Sequence, residues 1–327
     1  MRRREFLRLM TSAAAVVPLI ARAQQPKTPI VGWMASGVPS PPDHMAAFRA
    51  GLKETGHVEG ENVIIDYRWA EGRYERLPEF AADFVARGVA VIAATGAVVS
   101  PLAARAATTT IPIVFRIGAD PVQEGLVGNL RRPTGNITGI TEFGTELAAK
   151  RSEFFHELLP NAKLFGVLLN PNNLNHREFL ARVPDGTPFN FGVGRAFATA
   201  THEREFEPAI AGLAERHVDG LIVAPDTLFG SYRESLVAAA TRHAMPTMFF
   251  DRESVVAGGL ISYSGDTRDS NRQLGVYVGR VLKGEKLSDL PVVQPSKFDL
   301  AINLKTAKAL GIAVPESLLV QATEVIE

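Results

Sequence analysis

The chain has 327 residues, with 35 basic and 35 acidic side chains, seven histidines and no cysteine. A formal charge of zero gives no reason to expect a nucleic acid or an anionic membrane as partner. The missing thiol excludes disulfides, cysteine nucleophiles and a lipidated N-terminal cysteine, and the length suits two domains with separate cores.

In chain order, the first segment reads as an address. Arg2, Arg3, Arg4 and Arg8, offset by Glu5, make a basic start. The apolar run 9–20 is shorter than the roughly 20 residues that span a bilayer. Ala21-Arg22-Ala23 is a small-x-small cleavage signal. Arg3-Arg4 followed by Glu5-Phe6-Leu7-Arg8 is similar to a twin-arginine (Tat) export signal. The expectation is a signal peptide over 1–23, cleaved after Ala23, and a periplasmic protein. Five arginines and one glutamate leave with it, so the remainder is about four units acidic.

From 28 to 140 short apolar runs alternate with helical patterns. Strands are expected at 29–34, 63–65, 89–94 and 113–115. Between them Asp43 is read as the cap of a helix with Met45, Phe48 and Leu52 on one face, ended by Gly56. Tyr74, Leu77, Phe80 and Phe84 mark the next helix stripe, and a third helix covers about 98–108. Runs such as 89–94, apolar throughout, suit parallel strands covered on both faces. The pattern restarts with helix 146–159, strand 164–169, helix 203–216, strand 220–224, helix 231–243 and strand 246–250. Strand 260–263, helix 267–283, strand 298–302 and helix 304–310 complete it. The fold class is α/β, two doubly wound parallel-sheet lobes in series. One stretch breaks the alternation: Pro184, Gly186, Pro188, Gly192 and Gly194 oppose a long helix and predict an irregular segment within 179–200.

Ligands of open parallel sheets sit beyond the carboxyl ends of the strands. The residues there are 35–37 (ASG), 95–97 (TGA), 116–121 (RIGADP), 170–173 (NPNN), 225–227 (PDT), 251–253 (DRE) and 264–266 (SGD). Short polar side chains and free backbone N–H groups at helix starts suit a carboxylate or similar polar head. The same residue types also make caps and turns; their recurrence after nearly every strand favours a cleft. Catalytic patterns are absent. The histidines show no HExxH spacing, so no metal site is expected, and no GxSxG elbow supports a hydrolase. Gly279 and Gly284 have P-loop spacing, but Glu285-Lys286 follows in place of Lys-Ser/Thr. Asp120 and Glu124 fit an acid pair, but a helix cap with an acidic first turn explains them as well. Trp33 and Tyr67 read as core. No cofactor is expected.

Four segments carry a resemblance: "GHVEGENVIIDYRWAEGRYERLP", "ATTTIPIVFRIGADPVQEGLVGNLRRPTGNITGI", "VLLNPNN" and "INLKTAKALGIAVPESLL". In these the chain resembles the ABC-transporter substrate-binding proteins of the tryptophan/tyrosine uptake type, over nearly its whole length after residue 23. The resemblance implies the periplasmic-binding-protein type I fold, two lobes joined by a hinge that the chain crosses three times. It implies lobe 1 from 28–141 plus about 266–290, and lobe 2 from 142–265 plus about 291–327. It further implies ligand contacts at Ser36 and Gly37, Thr95 and Gly96, Asp120 and Pro121, Asn170, Asp226, and Tyr263 as a wall of the cleft. Ser36 and Thr95 would hold a carboxylate, and Asp226 an ammonium. The implied function is capture of a small carboxylate-bearing solute, an amino acid in this family, by a monomer that docks on an inner-membrane ABC permease. No enzyme activity is implied, although an exported enzyme or a sensory receptor would share the cleft. The family's alanine-rich helix and "GL-x-L" strand within 179–200 are not found in this chain.

Overall fold

Strands that must be covered on both faces are written in continuous apolar runs, and the molecule uses them to build two sheets. The computed structural model describes residues 28–142, 144–294 and 296–327, so the export segment lies outside the described residues. The first sheet comes from β1 (Ile30–Ala35), β2 (Ile64–Trp69), β3 (Val91–Gly96), β4 (Ile113–Ile117) and β5 (Ile137–Thr141). Its order is β2-β1-β3-β4-β5, and every pairing is parallel. The helices α1 (Pro42–Glu54), α2 (Leu77–Arg87) and α3 (Val99–Ala107) connect its strands.

Alternate residues of each strand feed opposite faces. Met34, Ile92 and Phe115 pack with Leu77, Phe80 and Phe84 of α2 and with Ala104 of α3. Val31, Trp33, Val91 and Val114 face the other way, against Met45, Phe48 and Leu52 of α1. Trp33 and Phe48 meet edge to face at 4.7 Å. Asp43 does not cap α1: Pro41 holds that position and Pro42 opens the helix, leaving Asp43 in the first turn, where its charge suits the helix dipole.

The second sheet follows α4 (Gly144–Leu158). Its elements are β6 (Leu164–Leu169), α5 (Leu174–Arg182), β7 (Gly194–Thr199), α6 (Phe206–Glu215), β8 (Gly220–Val223), α7 (Thr227–Ser231), α8 (Arg233–Arg242), β9 (Thr247–Phe249), α9 (Arg252–Val256) and β10 (Ile261–Gly265). After α10 (Thr267–Leu282) come β11 (Phe298–Asn303), α11 (Leu304–Ala309), α12 (Glu316–Gln321) and β12 (Glu324–Ile326). The order is β12-β11-β10-β9-β8-β6-β7. This sheet is not wholly parallel, as the apolar runs suggested. β11 runs antiparallel to β10, with Ile261 opposite Ile302 and Tyr263 opposite Leu300. One core packs Leu168, Leu221 and Val223 on Phe206, Ile210 and Leu213 of α6 and on Leu236 of α8. The other packs Phe165, Ile222, Met248 and Ile261 on Phe154 and Phe155 of α4.

The broken stretch behaves as its prolines and glycines dictate. The nine-residue α5 ends at Arg182, just before Pro184, and residues 183–193 hold no helix or strand. The chain then regains a strand: β7 pairs with β6 at the edge of the sheet, from Leu164–Gly194 to Leu169–Thr199. Phe189 and Phe191 stack at 5.2 Å, Phe191 stacks on His156 of α4 at 4.6 Å, and the Arg195 guanidinium lies 3.9 Å over Phe189.

α10 follows β10 directly in sequence but leaves the second sheet to pack on α1. Leu274, Tyr277, Val278 and Val281 join the core of the first sheet. A Cβ on Gly51 would collide with the Arg272 carbonyl, and one on Gly275 with the Phe48 carbonyl. The two helices therefore touch backbone to backbone.

Candidate functional site

The carboxyl ends of both sheets face one cavity of about 210 Å³. Three contacts close the lobes over it. The Tyr74 hydroxyl and Thr227 Oγ1 are 2.8 Å apart, the Val38 N–H donates to Ser231 Oγ at 3.3 Å, and His44 Nε2 lies 3.1 Å from Glu253 Oε1. Burial, reinforced by the charge of Asp226, pushes the Tyr74 phenol well above its ordinary range, so it stays protonated and able to donate.

The first sheet builds its wall from loops that follow β1, β3 and β4. Ser36 is fully buried; its backbone N–H donates to the Thr95 carbonyl at 3.2 Å, and its Oγ accepts from the Ala97 N–H at 2.7 Å. Gly96 sits at φ +93°, and a Cβ there would collide with Ser36 Oγ. This glycine is required both by its backbone and by its neighbour. Of the residues expected to contact a ligand here, Gly37, Thr95 and Gly96 line the cavity, whereas Ser36 does not: it is packed behind them. Arg116 is the strand neighbour of Thr95 and also lines it. Its Nη1 donates to Glu142 at 2.8 Å.

The second sheet contributes differently from the sequence reading. Asn170 and Asp226 are buried but do not line the cavity. Asp226 caps α7: Oδ1 accepts from the Leu228 N–H and from Asn170 Nδ2, both at 2.9 Å, and Oδ2 accepts from Asn173 Nδ2 at 2.8 Å. Asn170 Oδ1 accepts from the Asn172 N–H, and the Asn170 N–H donates to His176 Nδ1 at 3.0 Å. Burial holds that imidazole below its ordinary range, consistent with a neutral acceptor. These groups shape the loop that places Thr227 at the cavity wall. Tyr263 lies beneath the wall, edge to face with Phe154 at 5.1 Å and stacked on Phe298 at 5.8 Å, while its carbonyl accepts from Arg151 Nε at 2.7 Å. Asp120 and Pro121 form a turn, not a helix start. Asp120 Oδ1 accepts from the Val122 N–H at 2.8 Å, and neither residue reaches the cavity.

The wall also holds charges outside the strand-end loops picked out from the sequence. Arg151 comes from α4, Arg233 opens α8, His44 lies in α1 and Glu142 follows β5. Asp251 and Glu253, which do follow β9, complete the set. Burial draws Arg151 down to about 10, against the opposing charges of Asp251 and Glu142, so it remains a cation at neutral pH. Burial, together with the charge of Glu253, pushes Asp251 up. Burial also pushes Glu253 up, but the His44 hydrogen bond and charge outweigh it and hold that carboxyl down at about 2. Among the described residues, no group of three or more His, Cys, Asp or Glu side chains could hold a metal ion. None of their helices is long and apolar enough to cross a membrane.

Two α/β lobes meeting over a small cavity at their strand ends have the plan of a cleft-type solute-binding protein. The family model for ABC transporter substrate binding protein matches residues 38–326, and the chain belongs to that family. A tyrosine-binding protein of Clostridioides difficile (strain R20291) is 28% identical over 267 residues, covering 81% of this chain and 75% of that protein. An ABC domain in complex with L-Trp from Streptococcus pneumonia superposes with a TM-score of 0.78 at 25% identity, covering 92% of this chain and all of that one. The ligand-free, open structure of a substrate binding protein with adhesive properties from Clostridium difficile gives 0.62, also at 25% identity, with 91% and 99% covered. By its family the chain is a substrate-binding protein, not an enzyme.

Proposed function

We propose that this protein is exported, loses residues 1–23 and works as a monomer in the periplasm. There it captures a small carboxylate-bearing solute, an amino acid or a close analogue, and delivers it to an inner-membrane ABC permease. The observation that carries this reading is the closed cavity at the strand ends of both sheets. The higher similarity to the L-Trp-bound neighbour than to the ligand-free, open one supports a closed arrangement. Export rests on the basic start, the apolar run and the Ala-Arg-Ala signal.

Capture divides between the lobes. Residues 28–141 with about 266–290 form lobe 1, and 142–265 with about 291–327 form lobe 2. Val293 still bridges Ile140 of β5, so the last boundary falls a few residues later, just after 293. Lobe 1 offers the Thr95 hydroxyl and the backbone around Gly96 to a carboxylate, with Ser36 bracing that loop from behind. Lobe 2 swings in Thr227, Ser231 and Asp251. Contacts made only when the lobes meet pull the open–closed equilibrium toward closure, and the closed form is what a permease reads.

A thermal-shift screen of the protein lacking residues 1–23, against amino acids and organic acids, tests this. One or a few solutes should raise Tm and be recovered chemically unchanged. If none does, or if the protein fractionates with the cytosol still carrying residues 1–23, the reading fails.

A further inference from the structure

One of the contacts between the lobes depends on a proton. His44 lies in α1, beside the first sheet, and Glu253 in α9, beside the second. His44 Nε2 and Glu253 Oε1 are 3.1 Å apart, with side chains only 7% and 18% exposed. The pair therefore forms when the lobes meet, and it forms largely out of water. A charged imidazolium bonds a carboxylate about twice as strongly as a neutral donor does, and so little exposure leaves the difference poorly screened by salt. Imidazoles change charge near pH 6.5, within reach of ordinary surroundings. A closed molecule thus gains from a proton that an open one does not use. The extra strength is complete below about pH 6 and fades as pH rises through about 7.

The charges around the pair are Asp43 of α1, Asp251 just ahead of α9, Arg252 of α9 and Arg233 of α8. Arg252 is held by Glu324 at 2.6 Å, and the Arg233 charge acts on both Asp251 and Glu253. Burial pushes Glu253 up, and the His44 bond and charge outweigh it, holding that carboxyl at about 2. It therefore stays ionised across the whole range in which an imidazole titrates. Two other carboxyls act in the same sense as His44. Burial, with the charge of Glu253, pushes Asp251 up. Burial, with the charges of Glu178 on α5 and of Asp120, pushes up Glu124, against a hydrogen bond from Asn175 of α5. Glu124 lies between β4 and β5 of the first sheet, and α5 belongs to the second. Closing deepens the burial of both carboxyls, so protons are taken up there as well.

We propose that a proton on His44 latches the lobes, so that closure strengthens as pH falls from about 8 to about 6. In the receptor reading above, solute is then gripped in mild acid and loosened in mild alkali. The latch itself joins lobe to lobe and acts whatever the solute.

The chain has no cysteine, so dyes on Glu79→Cys of α2 and Glu215→Cys of α6, both exposed, report the separation of the lobes by single-molecule energy transfer. The protein lacking residues 1–23 is measured without solute at about pH 8 and about pH 6. The closed-to-open ratio should rise about fivefold at the lower pH, and less than about twofold in His44→Gln or Glu253→Gln with native circular dichroism. Each comparison is repeated with Tyr74→Phe, which loosens the lobes and leaves a fully closed molecule a ratio to move. A ratio independent of pH in both backgrounds, or one that rises as far in folded His44→Gln as in its parent, overturns the latch. Neither result touches the receptor reading, which stands or falls on the thermal-shift screen.

Discussion

At Gly96 a single missing carbon decides the shape of the cavity floor. Its φ of +93° is one that side-chain-bearing residues rarely adopt, and any Cβ would displace Ser36 Oγ from the Ala97 N–H. Gly96→Ala should therefore cost about 2–3 kcal/mol by denaturant unfolding and weaken ligand binding, through strain plus a lost buried hydrogen bond. The acid limb of stability belongs to another residue. Glu253 is held at about 2 against an ordinary 4.5, so its ionised form stabilises the folded state fully above pH 4.5. That contribution is lost as pH falls through about 2. It amounts to at most about 3 kcal/mol. Unfolding curves of the wild type and Glu253→Gln should differ most at neutral pH and converge between pH 4.5 and 2. A constant gap across that range counts against the His44–Glu253 pairing.

Single residues also show where the sequence was readable. Gly37, Thr95 and Gly96 were legible as wall residues because the loops after parallel strands meet at the cleft by geometry, whereas the burial of Ser36 behind them was not. Asp226 and Asn170 were legible as polar strand-end residues but not as a cap and its support, since the same side chains serve caps and ligands alike. Arg151, Arg233, His44 and Glu142 escaped attention because three ride on helices and one follows a strand that was not predicted. A periodic pattern cannot tell which turn of a helix overhangs a cleft.

Among the elements, buried strands were read well, because a strand covered on both faces shows a continuous apolar run. β11 was found, but its reversed direction was not, since direction is set by the partner and leaves no mark on the run itself. The stretch 179–200 lost its long helix as its glycines and prolines required, yet kept an edge strand. The most consequential pairing was invisible: α1 and α10 lie more than two hundred residues apart and meet through Gly51 and Gly275. Gly275→Ala should force the helices apart. The expected cost is about 2–4 kcal/mol despite alanine's better helix propensity, because the added methyl meets the Phe48 carbonyl and opens the core beneath. A lowered Tm in calorimetry checks this; an unchanged or raised Tm means the helices do not touch there.

For the whole molecule, the two-lobe plan was legible from the restart of the strand–helix alternation, whereas the closure contacts were not, since Tyr74 and Thr227 belong to different lobes. Their 2.8 Å bond holds the lobes together independently of any solute. Removing one neutral hydrogen bond costs about 1 kcal/mol, or roughly fivefold in the open–closed balance. Tyr74→Phe should bind its solute up to about fivefold more weakly, mainly through faster release, and small-angle scattering of the unliganded variant should show a larger radius of gyration than the wild type. Identical scattering and release rates count against the bond as a closure contact.

The reach of α10 across the chain also sets an order of events at the ribosome. A nascent chain halted after Thr141 already owns all five strands of its sheet. It still leaves Val31, Trp33, Val91 and Val114 without the cover of Leu274, Tyr277 and Val278. The half that is synthesised first therefore cannot close its own core until most of the other half has been made and Leu282 has cleared the exit tunnel.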